Sequence, residues 1–162
     1  MMTRWFCLFL VTAIISSNAQ ARDSLGVYEG WAAFRDAEIP RCYAIARPER
    51  RRSGEWEAFA SIGTWPARNR RGQVHFRLRR AMRDDSTPIL TIGPRRFELV
   101  GSGPDAWAAT SQDDAAIVAA MRNGLSMRIE ARSRGAGRIV DNYDLSGAAS
   151  AIDAAALGCT AS

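Results

Sequence analysis

Between Gln73 and Arg80 the chain alternates without a break, with Val74, Phe76 and Leu78 on one side and His75, Arg77 and Arg79 on the other. A period of two sends successive side chains to opposite faces, so this segment predicts a half-buried β-strand with its polar face outward. Other stretches read as strands by the same criterion: residues 27–34, 42–46, 57–65, 89–92, 96–100, 125–132 and 139–145. Phe97 and Leu99 are expected inward with Arg96 and Glu98 outward; Leu125, Met127 and Ile129 are likewise expected inward. Gly93-Pro94-Arg95 and residues 134–137 are turns, Gly101-Ser102-Gly103 ends a hairpin, and residues 47–54 and 68–72 are exposed basic loops.

The period lengthens after residue 110. Ser111-Gln112-Asp113-Asp114 has the form of a capping box, and Ile117, Val118 and Met121 follow at helical spacing. Arg122 suits the negative end of the helix dipole and Gly124 stops the helix, which gives a helix over 111–123. A second, alanine-rich helix is expected at about 148–157, after Gly147, and delivers Cys159. Six to eight antiparallel strands with two short helices predict a mainly β fold, either a two-sheet sandwich or a curled barrel. No repeat, linker or low-complexity tract divides residues 22–162, which therefore read as one domain.

The first 21 residues fix the compartment. A basic start through Arg4, an 11-residue apolar run over 5–15 and a small-residue end at Ala19-Gln20-Ala21 form a secretory leader. Cleavage is expected between Ala21 and Arg22. The run falls short of the roughly 18–20 residues that span a bilayer, and no later stretch reaches that length, so the mature chain has no predicted transmembrane segment. Periplasmic, outer-membrane-associated or secreted placement follows. Two cysteines then remain, Cys42 and Cys159. In an oxidising compartment they are expected to pair, the alternative being two buried thiols. With a single histidine they supply too few ligands for a metal site, and no cofactor is expected.

The formal charge is +5 and every basic residue is arginine. Positive charge gathers between Arg41 and Arg96, above all in Arg50-Arg51-Arg52 and in Arg68, Arg70 and Arg71. These two groups lie in loops flanking one predicted strand and are candidates to converge on a phosphate or carboxylate, which guanidinium forks bind at two points. Trp56, set between Glu55 and Glu57, is the aromatic candidate for a contact surface, whereas Trp31 and Trp107 are expected in the core. His75 has no serine, cysteine or carboxylate placed beside it by sequence. The carboxylate neighbours Glu55/Glu57, Asp84/Asp85, Asp113/Asp114 and Asp141/Asp144 read as turns, caps or opposite strand faces, not as a pair across a sugar bond.

One motif string points to a family. Asp105-Ala106-Trp107-Ala108 is followed by Asp114, Ile117-Val118, Ala120-Met121, Gly124, Met127, Ser133-Arg134-Gly135, and then Asp141, Tyr143, Leu145 and Gly147. This resembles the C-terminal half of the invasion-associated locus B family of bacterial exported proteins, with Gly30-Trp31 and Cys159 similar to its two ends. The resemblance implies an exported α-proteobacterial envelope protein with a mostly β fold, and it carries over no catalytic residue. The chain departs from the family in lacking a cysteine over 32–36, in Ala148 after the late glycine, and through much of 47–83. The expected function is a non-enzymatic envelope interaction protein. Its partner would be an envelope protein or an anionic component such as lipopolysaccharide or phospholipid head groups, and not nucleic acid, because the protein leaves the cytoplasm. A protein-binding inhibitor or chaperone-like module acting through a sheet edge is the alternative, and a carboxylate-based hydrolase a third.

Overall fold

The computed structural model describes residues 22–160 apart from 37 and 136; the expected leader, residues 1–21, lies outside the described residues. The strands are β1 (Asp23–Tyr28), β2 (Trp31–Asp36), β3 (Arg41–Ala46), β4 (Phe59–Trp65), β5 (Arg70–Arg77), β6 (Ile89–Ile92), β7 (Arg95–Ser102), β8 (Asp105–Ala108), β9 (Ser126–Arg132) and β10 (Arg138–Asp144). Helix α1 (Ser111–Asn123) lies between β8 and β9, and α2 (Ala148–Gly158) closes the chain. The strands form one antiparallel sheet in the order β1-β2-β3-β4-β5-β8-β7-β6-β9-β10, which does not close on itself. The fold is therefore mainly β with two helices, as expected, and its strands run as one open, antiparallel order.

Strand alternation sets the inner face. Ala44 and Ala46 of β3, Ala60 and Ile62 of β4, and Val74 and Phe76 of β5 are all buried and meet in one core with Leu90, Ile129 and Ile139. Helix α2 lays Ala148, Ala151, Ile152 and Ala155 onto β1–β3, and α1 adds Ile117, Ala120 and Met121 against β5. Small side chains on α2 let it lie close to the sheet. Arg122 and Asp153 tie the two helices together through hydrogen bonds of 2.6 and 3.1 Å.

The sheet curls until β10 comes against β2 and the end of β5, where a strand ladder is replaced by single donors. The β10 carbonyls of Val140, Asn142 and Asp144 accept from Arg79 Nη1 (3.2 Å), the Glu49 backbone N–H (2.9 Å) and Trp31 Nε1 (2.9 Å) respectively. Alternate carbonyls of a strand point the same way, so these three are the side of β10 that faces away from β9. Tyr143 packs edge-on to Phe76 from the same strand, with ring centroids 6.0 Å apart.

Several expectations change. The run over 27–34 is a hairpin, not one strand: Tyr28 pairs with Trp31 across a two-residue turn in which Glu29 takes φ 51°. Asp105–Ala108 is a strand of its own, pairing with both β5 and β7. The cap of α1 is Thr110, whose hydroxyl accepts from the Asp113 N–H at 3.1 Å, so the capping box begins one residue earlier than expected. Leu125 is 89% exposed, because β9 starts at Ser126 and its inward set is Met127, Ile129 and Ala131. Gly147 does open α2: its φ of 81° and the Tyr28 carbonyl, 2.2 Å from any added Cβ, leave room for no side chain.

Cys42 and Cys159 form a disulfide, with Cα atoms 5.7 Å apart, that fastens the end of α2 to β3. Its loop spans 117 residues of sequence, for which the chain-entropy account gives a stabilisation of about 5 kcal/mol. Among the described residues no helix is long and apolar enough to cross a membrane. Replacing both cysteines by serine should cost about 2–5 kcal/mol of unfolding free energy. Urea denaturation of the oxidised protein and the double variant, compared by circular dichroism, measures that loss, and a reductant should reproduce it in the oxidised protein.

Candidate functional site

The link between β3 and β4, residues 47–58, carries four arginines and three glutamates, and the curl of the sheet holds it in place. Glu49 is bonded to β10, and the backbone N–H groups of Glu55 and Trp56 both donate to the Arg79 carbonyl, at 2.8 and 3.3 Å. Gly54 permits this approach, since a Cβ there would sit 2.3 Å from the same carbonyl oxygen. Loop and sheet enclose a cleft of about 250 Å³, with Arg47 and Arg50–Arg52 around it, Trp56 half-buried in its wall, and Arg79 and Asp141 at its base.

Arg79 was expected to face outward. Strand β5 ends at Arg77, however, and Arg79 is only 6% exposed, reaching under the loop to Asp141 Oδ1 at 2.5 Å. Burial pushes the Asp141 carboxyl above its ordinary range, and the guanidinium groups of Arg79 and Arg52 oppose that shift. Asp141 Oδ2 and the Tyr143 hydroxyl are buried without a hydrogen-bond partner. Burial raises the Tyr143 hydroxyl as well, with Asp141 adding to it.

Among the described residues, the surface arginines divide evenly between those with a carboxylate partner and those without one. Arg35, Arg83, Arg122, Arg128, Arg134 and Arg138 each have a carboxylate partner. Of the loop arginines around the cleft only Arg51 does, with Glu57 at 3.7 Å and both side chains largely exposed. Among the described residues no carboxylate lies within ion-pair distance of Arg47, Arg50 or Arg52. Glu55, Glu57 and Asp141 border the same cleft, but Glu57 is engaged by Arg51 and Asp141 by Arg79.

The other basic group does not join this one. Arg68, Arg70 and Arg71 follow the end of β4 while Arg50–Arg52 precede its start, and a seven-residue strand holds them roughly 20 Å apart. Arg71 borders a groove against both helices. Arg70 lies near Asp114, a buried carboxylate that accepts from the Val74 N–H at 2.8 Å and so pins α1 to β5. Asp114 is therefore no cap; burial raises its carboxyl, while the Val74 N–H and Arg70 pull it down.

On the outer face of the sheet, three neighbouring strands assemble a group that spacing did not reveal. His75 Nε2 is 2.8 Å from Asp105 Oδ1, and Arg77 donates to both oxygens of Asp105 at 2.9 and 3.1 Å. The His75 ring stacks on Trp107 with centroids 5.1 Å apart, and Phe59 meets it edge-on at 5.4 Å. His75 thus has a carboxylate beside it after all, supplied by β8. Trp107 belongs to this cluster and is half-buried, while Trp31 is fully buried in the core as expected. Burial lowers the His75 pKa; Asp105 opposes the shift, and Arg77 and Arg41 reinforce it.

The remaining residues of the motif string are mostly structural. Met121 is buried, and Gly124 ends α1 against Ile92 and Leu145. Arg134 pairs with Asp84 at 2.8 Å on the surface, and Gly135 donates its N–H to the Ser133 hydroxyl. Among the described residues no group of three or more His, Cys, Asp or Glu could hold a metal ion. A scan of protein-family models, a search of curated proteins and a search of solved structures each returned no match.

Breaking the Arg79–Asp141 pair from one side leaves a buried charge. Arg79→Met should lose about 3–5 kcal/mol in urea denaturation, and adding Asp141→Leu should recover much of it. His75 should titrate by NMR below 6.5, and Asp105→Asn should lower the midpoint further by removing the acid that favours the imidazolium. Because the unfolded chain then holds the proton more firmly, the His75 contribution to stability is present above about pH 6.5 and is lost as pH falls toward the depressed midpoint.

Proposed function

We propose that this protein is a non-enzymatic, exported envelope module of the invasion-associated locus B type that binds an anionic envelope component through the β3–β4 loop. The supporting observation is the clustering of Arg47, Arg50 and Arg52, none with an ion-pair partner among the described residues, around one cleft with a half-buried tryptophan in its wall. An unengaged guanidinium need not break an internal ion pair to bind phosphate or carboxylate, and its fork contacts two oxygens at once. Lipopolysaccharide phosphates and phospholipid head groups carry such oxygens. The disulfide fits an oxidising compartment.

A second reading, docking of a protein partner, draws on a groove of about 510 Å³ on the outer face of β1–β4, bordered by Phe34, Tyr43, Ile45 and Phe59. Val27 at its edge is 72% exposed. Crosslinking in living cells separates the two readings, since only this one expects a single dominant protein adduct.

Retention on vesicles containing anionic phospholipid, or on lipopolysaccharide, should fall at least tenfold in a variant carrying Arg47→Gln, Arg50→Gln and Arg52→Gln. The matched set Arg68→Gln, Arg70→Gln and Arg71→Gln should bind nearly as the parent does, because it sits at the far end of β4. Raising the salt from 0.1 to 1 M, which shortens the Debye length from ~10 to ~3 Å, should release the parent protein. Equal retention of the parent and the first variant would defeat the loop as the binding element.

A further inference from the structure

The outer face of β2–β4 reverses the usual order of a one-sided sheet, whose outward positions are ordinarily polar. On β3 the inward set is Cys42, Ala44 and Ala46, while the larger Tyr43 and Ile45 point the other way. Phe34 of β2 pairs with Tyr43, with ring centroids 5.7 Å apart, and Phe59 of β4 borders the same groove. Phe34, Ile45 and Phe59 are only half-buried, and none of the four belongs to the core cluster. Apolar surface that the core does not use marks a contact site.

Its neighbour says what it contacts. This groove of about 510 Å³ and the arginine cleft share three lining residues, Arg47, Glu57 and Ala58. Arg47 follows the last residue of β3, and Ala58 precedes the first of β4, so the two spaces join at one end of the strands. Arg50 and Arg52 carry the positive charge onward from there into the cleft. Two acids border the groove: Glu57 is engaged by Arg51, and Glu29, in the β1–β2 turn, opposes an anion. The groove lies within the ~300–1,000 Å³ usual for small-molecule sites. An apolar trough that meets unpaired guanidinium groups at one end matches a molecule with a hydrocarbon tail and an anionic head.

We propose that groove and cleft together bind one anionic lipid. Its acyl chain lies along Phe34, Ile45 and Phe59, and its phosphate engages the forks of Arg47, Arg50 and Arg52. The proposal rests on the anion-binding reading above and adds that the site takes up the chain as well as the head group.

The test is an NMR titration of the disulfide-bonded protein with decyl phosphate, below its micelle concentration, and separately with ethyl phosphate, which keeps the head group and removes most of the chain. Decyl phosphate should bind at least tenfold more tightly and shift the Ile45 methyl resonances. Ile45→Asn should weaken decyl phosphate at least tenfold and ethyl phosphate less than twofold. Should that variant fail to fold, Ala32→Leu, which fills the groove opposite Ile45 without a polar atom, should give the same split. The triple variant Arg47→Gln, Arg50→Gln and Arg52→Gln should weaken decyl phosphate at least tenfold, and Glu29→Gln should tighten it. Equal affinity for the two phosphates, or retention on anionic vesicles without binding of decyl phosphate, would overturn the lipid site. Loop-mediated anion binding would then stand, with the groove left to a protein partner. Undiminished binding of decyl phosphate by the triple variant would overturn the joining of groove and loop in one site. Failure to bind either phosphate or the vesicles would bring down both readings.

Discussion

An open sheet that curls must find donors for the carbonyls of its last strand, and the way this protein does so shapes everything around the cleft. Closure would have supplied a neighbouring ladder. Instead the outward carbonyls of Val140, Asn142 and Asp144 are met one by one, by a guanidinium, a loop amide and an indole. Each donor comes from a different part of the chain, so satisfying this edge also fixes Arg79, the β3–β4 loop and Trp31. The cleft exists because the loop covers the edge.

Charge is arranged with the same economy. A chain with no lysine could scatter guanidinium groups over its surface, yet on the flanks most of them are neutralised by nearby acids, as with Arg122 and Asp153 across the two helices. Free positive charge is concentrated where loops meet the ends of β4. Arg79 is the exception on the inside. Its position near Asp141 brings a cation into the core side of the sheet, where the cost of desolvating both charges offsets much of their attraction.

Much of the architecture was legible in the sequence where periodicity was long. The alternation through β5, the helix over 111–123 and the alanine-rich closing helix all lie where hydrophobic spacing put them. Short-range signals were weaker. Glu29-Gly30 is an uncommon turn pair, so two strands read as one, and four-residue β8 is too brief and too rich in alanine to show a period. The candidate site was half visible. Arg50–Arg52 and Trp56 share the cleft as their loop position allowed, but Arg68–Arg71 do not, because loops that enter and leave one strand sit at its opposite ends. Arg79, Asp141 and the His75–Asp105 contact were hidden for a different reason. Each depends on a strand pairing or a sheet curl that joins residues 30 or 62 positions apart, and local patterning carries no record of it.

The disulfide has a consequence for the order in which the molecule is made. Cys42 is translated 117 residues ahead of Cys159, so no nascent chain that stops short of Cys159 can acquire the native crosslink. Until Cys159 emerges, the first strands and α2 are held together by noncovalent contacts or not at all. Oxidation thus acts as a late latch: it records that every strand and both helices have been delivered and that α2 has met β3.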